Sequence, residues 1–272
     1  PRTSTRRNEI PVTTTASPTS STPPPAPRRP RTLRTVLLVV GSVLLVALLA
    51  VVVVQSVAAS DRQDHSRTSA VDESFDRIRI EAGATDVRVE RVDVDRTEVV
   101  FVAGDTRLRE RHAVRDGVLD LTVSGPAWSI VDLSVGVRQG AHLTVRVPED
   151  AADVPVEVDA TAGDVLLAGS WGDVALTSTA GDVTLDGRAD ALAVEATSGD
   201  VQLTLAAAPR SITVETTSGD QVVSLPDGDY RITAEATVGD VDNELGTDPG
   251  AAQQYRFTAV AGDVEIQRGT GR

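Results

Sequence analysis

The side chains of this chain with the chemistry for catalysis or metal binding are acidic residues, arginines and three histidines. His65, His112 and His142 lie far apart in the sequence, and none belongs to a known catalytic or zinc-binding motif. The chain has no cysteine, which excludes disulfides, thiolate metal sites and thiol catalysis. We therefore expect no enzymatic activity and no cofactor. A polysaccharide lyase or hydrolase with acids and arginines clustered on one face stays the alternative.

The acidic residues with the clearest pattern follow glycine in seven Gly-Asp pairs, at intervals of 9, 9, 18, 20, 20 and 23 residues. Calcium-binding nonapeptide repeats contain several glycines before the aspartate, whereas a single glycine precedes it here. We therefore predict structural corners, in which the glycine has a positive φ and the aspartate accepts a hydrogen bond from a nearby backbone N–H. The pairs are Gly163 and Asp164, Gly172 and Asp173, Gly181 and Asp182, Gly199 and Asp200, Gly219 and Asp220, Gly239 and Asp240, and Gly262 and Asp263.

A second set of acidic residues lies four residues before the glycine of a pair. If the repeats stack about 4.8 Å apart, the three glutamates of this set line up on consecutive rungs, where like charges repel. A divalent cation, which prefers oxygen ligands, or an arginine-bearing partner would relieve that repulsion. A weak cation column and a solvated acidic face without a ligand are the two alternatives. The residues are Asp159, Glu195, Glu215 and Glu235.

Apolar residues spaced by two flank the Gly-Asp pairs and indicate short β-strands with one buried face. Around Gly199, for example, Leu192 and Val194 precede the glycine, and Val201 and Leu203 follow it. A period near 20 residues is typical of repeat folds in which each unit buries its apolar face on the next. We predict an all-β fold, a β-solenoid or flattened β-helix with two short strands per rung and Gly-Asp at the corners.

Side chains next to the corners suggest two further features. Threonine or serine lies two residues before the glycine in six of the seven copies, which predicts a ladder of hydroxyls. Val260 takes this place in the seventh copy, which we interpret as an atypical terminal repeat. Trp171 precedes a corner glycine and is either folded over the core or exposed as an anchor for a sugar or protein. Trp128, in a predicted loop, has the same two alternatives.

The first part of the chain differs in composition from the repeats. Residues 1–34 are rich in Pro, Ser and Thr and contain seven arginines and one acid, so we predict a disordered basic tail. Residues 36–54 are apolar apart from Gly41 and Ser42. At 1.5 Å per residue this run is long enough to cross a bilayer. We therefore predict a transmembrane helix over residues 35–59.

The charges around the predicted helix indicate its orientation. Arginines precede it and aspartates follow it, so the positive-inside rule places the tail in the cytoplasm and the rest of the chain outside. The alternative is a cleaved signal peptide, because Val57, Ala58 and Ala59 resemble a cleavage site. Beyond the helix we predict a polar linker at 60–74, an extracytoplasmic β-domain at 75–268 and a C-terminal tail at 269–272. Within the domain, 75–150 would form irregular N-terminal rungs and a cap, and 151–268 the regular repeats.

The net charge limits the partners of this domain. Of the 40 acidic residues only one lies in the tail, whereas seven of the 26 basic residues do, so the remainder of the chain is strongly anionic. A polyanion repels nucleic acid, and we expect no nucleic-acid partner. All of the basic residues are arginine, a composition that favours a GC-rich bacterium such as an actinobacterium.

Three stretches of the domain resemble a bacterial family of putative adhesins with β-strand repeats, a domain of unknown function. They are residues 78–89, residues 143–148, and the Thr-Ser-Gly-Asp-Val motif at 197–201, and the resemblance covers about 75–268. It implies a β-solenoid at the cell envelope. With the predicted span, we expect a membrane-anchored binding, adhesion or scaffolding surface whose partners are the membrane and an envelope polymer or membrane protein. Some relatives are associated with envelope-stress systems, so a sensing or regulatory partner of a membrane signalling system is the alternative.

Overall fold

The computed structural model describes residues 66–104, 106–125 and 140–269, and these residues form 16 β-strands without a helix. The all-β prediction is confirmed for them. The predicted tail and transmembrane helix lie outside the described residues, and none of the described residues forms a helix long and apolar enough to cross a bilayer. The strands are β1 (Ser66–Val71), β2 (Arg77–Val92), β3 (Thr97–Val102), β4 (Arg109–Arg115), β5 (Val118–Ser124), β6 (Ala141–Pro148), β7 (Val156–Ala162), β8 (Val165–Ala180), β9 (Val183–Ser198), β10 (Val201–Leu205), β11 (Ser211–Ser218), β12 (Gln221–Leu225), β13 (Arg231–Val238), β14 (Val241–Asn243), β15 (Gln254–Ala261) and β16 (Val264–Arg268).

The repeats stack in parallel, as predicted, with one strand before each corner and one after it. Before the corner, Leu176 pairs with Val194 of the next rung, 18 residues later. After the corner, Val183 pairs with Val201, again 18 residues later. We call the two ladders face A and face B. Face A contains β7, residues 173–180 of β8, residues 191–198 of β9, β11, β15 and β13; face B contains residues 165–170 of β8, residues 183–188 of β9, β10, β12, β16 and β14.

The core lies between the two faces. Buried and exposed side chains alternate along most strands of the two faces, and the buried side chains of neighbouring rungs stack into columns rich in Val, Leu and Ile. Leu167, Leu185 and Leu203 form one such column on face B, and all three are fully buried. Branched side chains pack well on a pleated surface, which explains why this composition forms strands.

β2 forms the first rung in which one strand contributes to both faces. The strands on its other side run in mixed directions. The first half of β2 pairs in parallel with β7 on face A and the second half with β8 on face B. On the other side of β2, β5 and β6 continue the two faces in parallel. β4 then pairs antiparallel with β5, β3 with β6, and β1 with β3.

Part of the segment that we predicted to be a linker is a strand. β1 lies within residues 60–74 and pairs along its whole length with β3. Only Val71 of this strand is buried, because β1 has one neighbour and lies at the edge of the sheet. An edge strand with polar side chains lacks the apolar alternation on which the prediction depended.

The last two repeats occur in the reverse of their sequence order. β15 and β16 stack directly on β11 and β12, and β13 and β14 stack on the far side of β15 and β16. The chain therefore forms the terminal rung first and then returns, so that its final repeat lies between the terminal rung and the rung of β11 and β12. The interpretation of the Val260 copy as terminal is wrong, because this copy is internal and residues 231–243 form the terminal rung. The two repeats have the same Gly-Asp corner, and their strands before the corner have the same length of eight residues, so these features do not determine which repeat is internal.

Candidate binding surface

Six of the predicted Gly-Asp pairs stack into one column of corners. Their glycines have φ angles of 117° to 140°, in the region that side chains disfavour. A Cβ on any of these glycines would also collide with a backbone carbonyl oxygen of the neighbouring rung. Glycine is therefore required by close stacking as well as by the turn. The pairs are Gly163 and Asp164, Gly181 and Asp182, Gly199 and Asp200, Gly219 and Asp220, Gly262 and Asp263, and Gly239 and Asp240.

Gly172 and Asp173 do not belong to this column, and their prediction as an equivalent corner is wrong. They lie inside β8 at the opposite edge of the rung, and Gly172 has no positive φ. The backbone N–H of Gly172 donates to the carbonyl of Val154 at 3.0 Å. Gly172 lies nine residues from the corner glycines on either side of it, which is half of an 18-residue rung. The same dipeptide therefore occurs once at each edge of this rung.

The corner aspartates form a continuous hydrogen-bonded ladder. Oδ1 of each aspartate accepts a hydrogen bond from the backbone N–H of the aspartate in the next rung, at 2.8–3.1 Å. The ladder begins at Asp86 of β2, which also lies 3.1 Å from His142, and it ends at Asp240. The prediction that these aspartates accept backbone hydrogen bonds is confirmed, and the donor belongs to the adjacent rung. One carboxylate oxygen per rung thus holds the stack together.

The predicted column of three glutamates on consecutive rungs is wrong. Glu195 pairs with Glu215, but Thr258 lies between Glu215 and Glu235 because the last two repeats are exchanged. Thr177 likewise separates Asp159 from Glu195. Asp159 instead faces Glu81 of β2, so the acidic residues form two separate exposed pairs. In the described residues, no group of three or more His, Asp or Glu side chains is arranged to hold a metal ion.

The threonines before the corners lie on the outer surface. Thr179 and Thr197 are exposed neighbours, and Val260 interrupts the column between Thr217 and Thr237. The hydroxyls that reach the corner carbonyls belong to inward-pointing residues instead. Ser178 Oγ lies 3.4 Å from the carbonyl oxygen of Gly181, and Thr216 Oγ1 lies 3.4 Å from that of Gly219.

A shallow groove of about 380 Å³ lies on face A where its strands begin, near the edge opposite the corners. Ala175, Ala193 and Thr213 form its floor as outward-pointing residues of three successive rungs. Their short side chains leave a depression between longer neighbours. Glu157 and Asp173 stand at its rim, where Arg79 and Arg210, respectively, form ion pairs with them. The groove therefore combines a small, weakly polar floor with fixed charges of both signs.

Trp171 is not an exposed anchor. Its side chain is buried in the core at the edge opposite the corners, and the Arg91 guanidinium lies 4.6 Å from the centre of a ring. The Arg91 side chain is only 6% exposed. Desolvation lowers the pKa of Arg91 from the ordinary arginine value, and the nearby Asp153 carboxylate partly offsets this. The guanidinium donates at 2.8–3.1 Å to four backbone carbonyls, of Pro148, Ala151, Ala152 and Ser170.

This role of Arg91 was not predicted, although the sequence contains a signal for it. Val87, Val89 and Arg91 occupy consecutive inward positions of β2, so the arginine lies where a core residue is expected. The buried Arg91 and Trp171 stabilise the connection between β6 and β7, and neither is available to a ligand. Trp128 and His65 lie outside the described residues.

The regular rungs of the chain match one family model. Residues 154–267 match the family model of Toastrack DUF4097. The Toastrack match covers β7 to β16, a shorter region than the 75–268 of the predicted resemblance. No curated protein matches the chain.

Several solved structures are similar to this chain, each over 76% of its length. A putative cell adhesion protein from Clostridium sporogenes is 14% identical and is covered over its whole length, with a TM-score of 0.49. A putative adhesin from Bacteroides fragilis is 15% identical, with 98% of that chain covered and a TM-score of 0.43. A putative adhesin from Parabacteroides distasonis is 13% identical, with 98% of that chain covered and a TM-score of 0.33.

Proposed function

We propose that this protein is a membrane-anchored, extracytoplasmic β-solenoid that presents a binding, adhesion or scaffolding surface at the bacterial cell envelope. The observation that carries the proposal is face A, where exposed side chains repeat in register around a groove. A repeated surface of this kind contacts an extended polymer or a protein surface at several equivalent positions. Rigid stacking also lowers the conformational entropy lost on binding.

The proposed anchor rests on the apolar run at residues 36–54 and the arginines that precede it. With residues 1–34 in the cytoplasm, the rungs face the cell wall or the extracellular space. The partner on that side is an envelope polymer or a membrane protein. We propose no catalytic role and no cofactor, because the chain has no cysteine and its histidines belong to no known catalytic or zinc-binding motif.

Sedimentation with isolated cell-wall sacculi tests the binding role of face A. The full-length protein in detergent micelles should pellet with the sacculi. Ala193→Arg fills the floor of the groove and should reduce the pelleted fraction several-fold. Gln202→Arg adds the same side chain to face B as a matched control and should leave binding unchanged. Absence of pelleting would contradict a polymer partner, and equal pelleting of both variants would contradict the assignment to face A.

The alternative is a signalling role, in which the external domain pairs with a membrane sensor and the tail reports inward. Deleting residues 1–34 distinguishes the two. A surface module should still bind the sacculi and complement a deletion strain without this tail. A transmembrane reporter should keep its binding but fail to restore the stress response of that strain.

A further inference from the structure

Three hydrogen bonds cross every interface between rungs at the corner column. The corner glycine N–H donates to the carbonyl of the residue before the next corner glycine, at 2.9–3.1 Å. The N–H of the residue after the aspartate donates to the carbonyl of the next corner aspartate, at 2.8–2.9 Å. The N–H of that next aspartate donates back to the Oδ1 of the first. Each corner therefore offers two N–H donors and one carboxylate acceptor to the strand that follows.

At the terminal rung these three groups have no partner among the described residues. They are the N–H of Gly239, the Oδ1 of Asp240 and the N–H of Val241. The same end of the stack has the most exposed large apolar side chains of the described residues. Val238 and Val241 of the terminal corner are 67% and 43% exposed, and Val260 of the adjacent rung is 49% exposed. Unsatisfied backbone groups and apolar side chains thus occur together at one end of the solenoid.

The other half of this edge is covered by the chain itself. Thr247 Oγ1 accepts a hydrogen bond from the N–H of Ile232 at 2.9 Å, and the N–H of Asp248 donates to the carbonyl of Tyr230 at 2.8 Å. The connection between β14 and β15 therefore blocks the start of β13. Only the part of the edge from Ala234 to Val241 is open.

The charge of the open edge indicates what binds there. Glu235, Asp240 and Asp242 are exposed along it, whereas the nearest basic residues, Arg231 and Arg256, lie at the covered start of β13 and on the neighbouring strand β15. Natural edge strands are often protected by charge and by shortness, and β14 with three residues fits that description. Protection does not explain the exposed valines. A second copy of this chain would bring the same acidic edge against itself.

We infer that residues 234–241 bind an extended cationic segment of a partner protein by strand addition. This inference rests on the proposed function as a binding surface and names the site and the chemistry of one partner. The added segment runs parallel to β13, supplies two carbonyl oxygens and one N–H at the corner, and covers Val238 and Val241 with apolar side chains. Main-chain hydrogen bonds attach the segment, as in other strand-addition complexes. Its basic side chains face the acidic edge.

A peptide copied from an internal rung is a suitable probe. Residues 193–205 stack on the preceding corner by the same three bonds, and Glu195→Lys in the peptide supplies the positive charge. Fluorescence anisotropy of the labelled peptide measures its binding to the full-length protein in micelles. The unaltered peptide, with Glu195 retained, should bind several-fold more weakly.

Two protein variants with the same change of charge test the site. Asp240→Ala removes the free acceptor, whose side chain has no bonding role in the described fold, and should weaken peptide binding by about tenfold. Asp242→Ala removes a neighbouring carboxylate outside the ladder and should weaken peptide binding by less than about threefold.

Equal affinities for these two variants would overturn the inference, and so would failure of the peptide to bind. Dimerisation of the full-length protein that is lost in Asp240→Ala would identify a second copy as the occupant and would also overturn it. Peptide failure with intact binding to sacculi leaves the proposed function standing.

Discussion

Glycine and aspartate have separate roles at the corner. Glycine is needed because its Cα lies against a carbonyl oxygen of the preceding rung, where no side chain fits. Aspartate is needed because its carboxylate accepts a hydrogen bond from the backbone N–H of the aspartate in the following rung. Gly246 also has a positive φ, but a Cβ there would meet nothing within 4 Å. Gly246 therefore serves as a control that has a positive φ but no contact with a neighbouring rung.

Replacing a corner glycine should therefore cost more stability than replacing Gly246. Gly199→Ala should lower the free energy of unfolding by at least about 1–3 kcal/mol from the unfavourable φ alone. The collision with the Gly181 carbonyl adds to that cost. Gly246→Ala should lose only the free energy that the positive φ costs an alanine, because no atom of a neighbouring rung lies close to it. Urea unfolding of the two variants followed by circular dichroism measures the difference, and equal midpoints would contradict the close stacking.

The residue types alone predicted six of the seven corners correctly and assigned the seventh Gly-Asp pair to the wrong edge of the rung. Six Gly-Asp pairs have the expected conformation because Gly-Asp has a local mechanism for turning. Gly172 and Asp173 have the same residue types, and only the packing of the rung places them at the other edge. Trp171 shows the same limit, since its burial depends on Arg91, which lies 80 positions earlier in the sequence.

At the scale of strands, the register determines which charges meet. Glu195 and Glu215 face each other across neighbouring rungs of face A, whereas Glu235 faces Thr258. Glu215→Gln should therefore raise the melting temperature slightly, because it removes a repulsion between opposite carboxylates. Glu235→Gln is the matched control and should leave the melting temperature nearly unchanged. An equal rise in both variants would place Glu235 in the column after all.

Calcium tests the remaining cation hypothesis with the same variants. Two exposed carboxylates form no closed shell of ligands, so millimolar calcium should raise the melting temperature of the wild type little or not at all. A clear rise that disappears in Glu215→Gln would establish a weak cation site at this pair.

The exchanged order of the last repeats can be tested with introduced cysteines, since the natural chain has none. Thr213 pairs with Arg256 on face A, and Arg256 pairs with Thr233. Thr213→Cys with Arg256→Cys should form a disulfide on oxidation, because adjacent strands lie about 4.8 Å apart. Thr213→Cys with Thr233→Cys should not, because two rungs separate these residues by about 10 Å. Mass spectrometry of the oxidised proteins detects the cross-link, and the opposite result would restore sequence order.

Alternation in the sequence predicted the regular strands because a buried face imposes a period of two. It did not predict β1, whose side chains are mostly exposed at an edge. Nor did it predict the order of the last rungs. The strands of both repeats fit the same partners through the same corner, and long-range packing decides between them.

At the scale of the whole molecule, the proposed topology has a direct test. Protease added to intact cells or spheroplasts should degrade residues 60–272 and leave residues 1–34 protected, because the arginines before the apolar run retain the tail in the cytoplasm. Antibodies against tags at each terminus follow the two parts separately. Sensitivity of the C-terminal tag only after lysis would contradict the topology. A C-terminal fragment that is released without protease would support a cleaved signal peptide.

The exchanged order of the last two rungs has a consequence for how the chain acquires its structure. Residues 231–243 are synthesised before residues 254–268, yet their partner in the finished stack is the later segment. Until that segment is available, the early repeat can dock on β11 and β12, whose corner has the same geometry. Such a misplaced intermediate must open before the final repeat enters. We expect a slow refolding phase in the full-length protein that disappears when residues 254–272 are deleted, and stopped-flow fluorescence or circular dichroism would detect it.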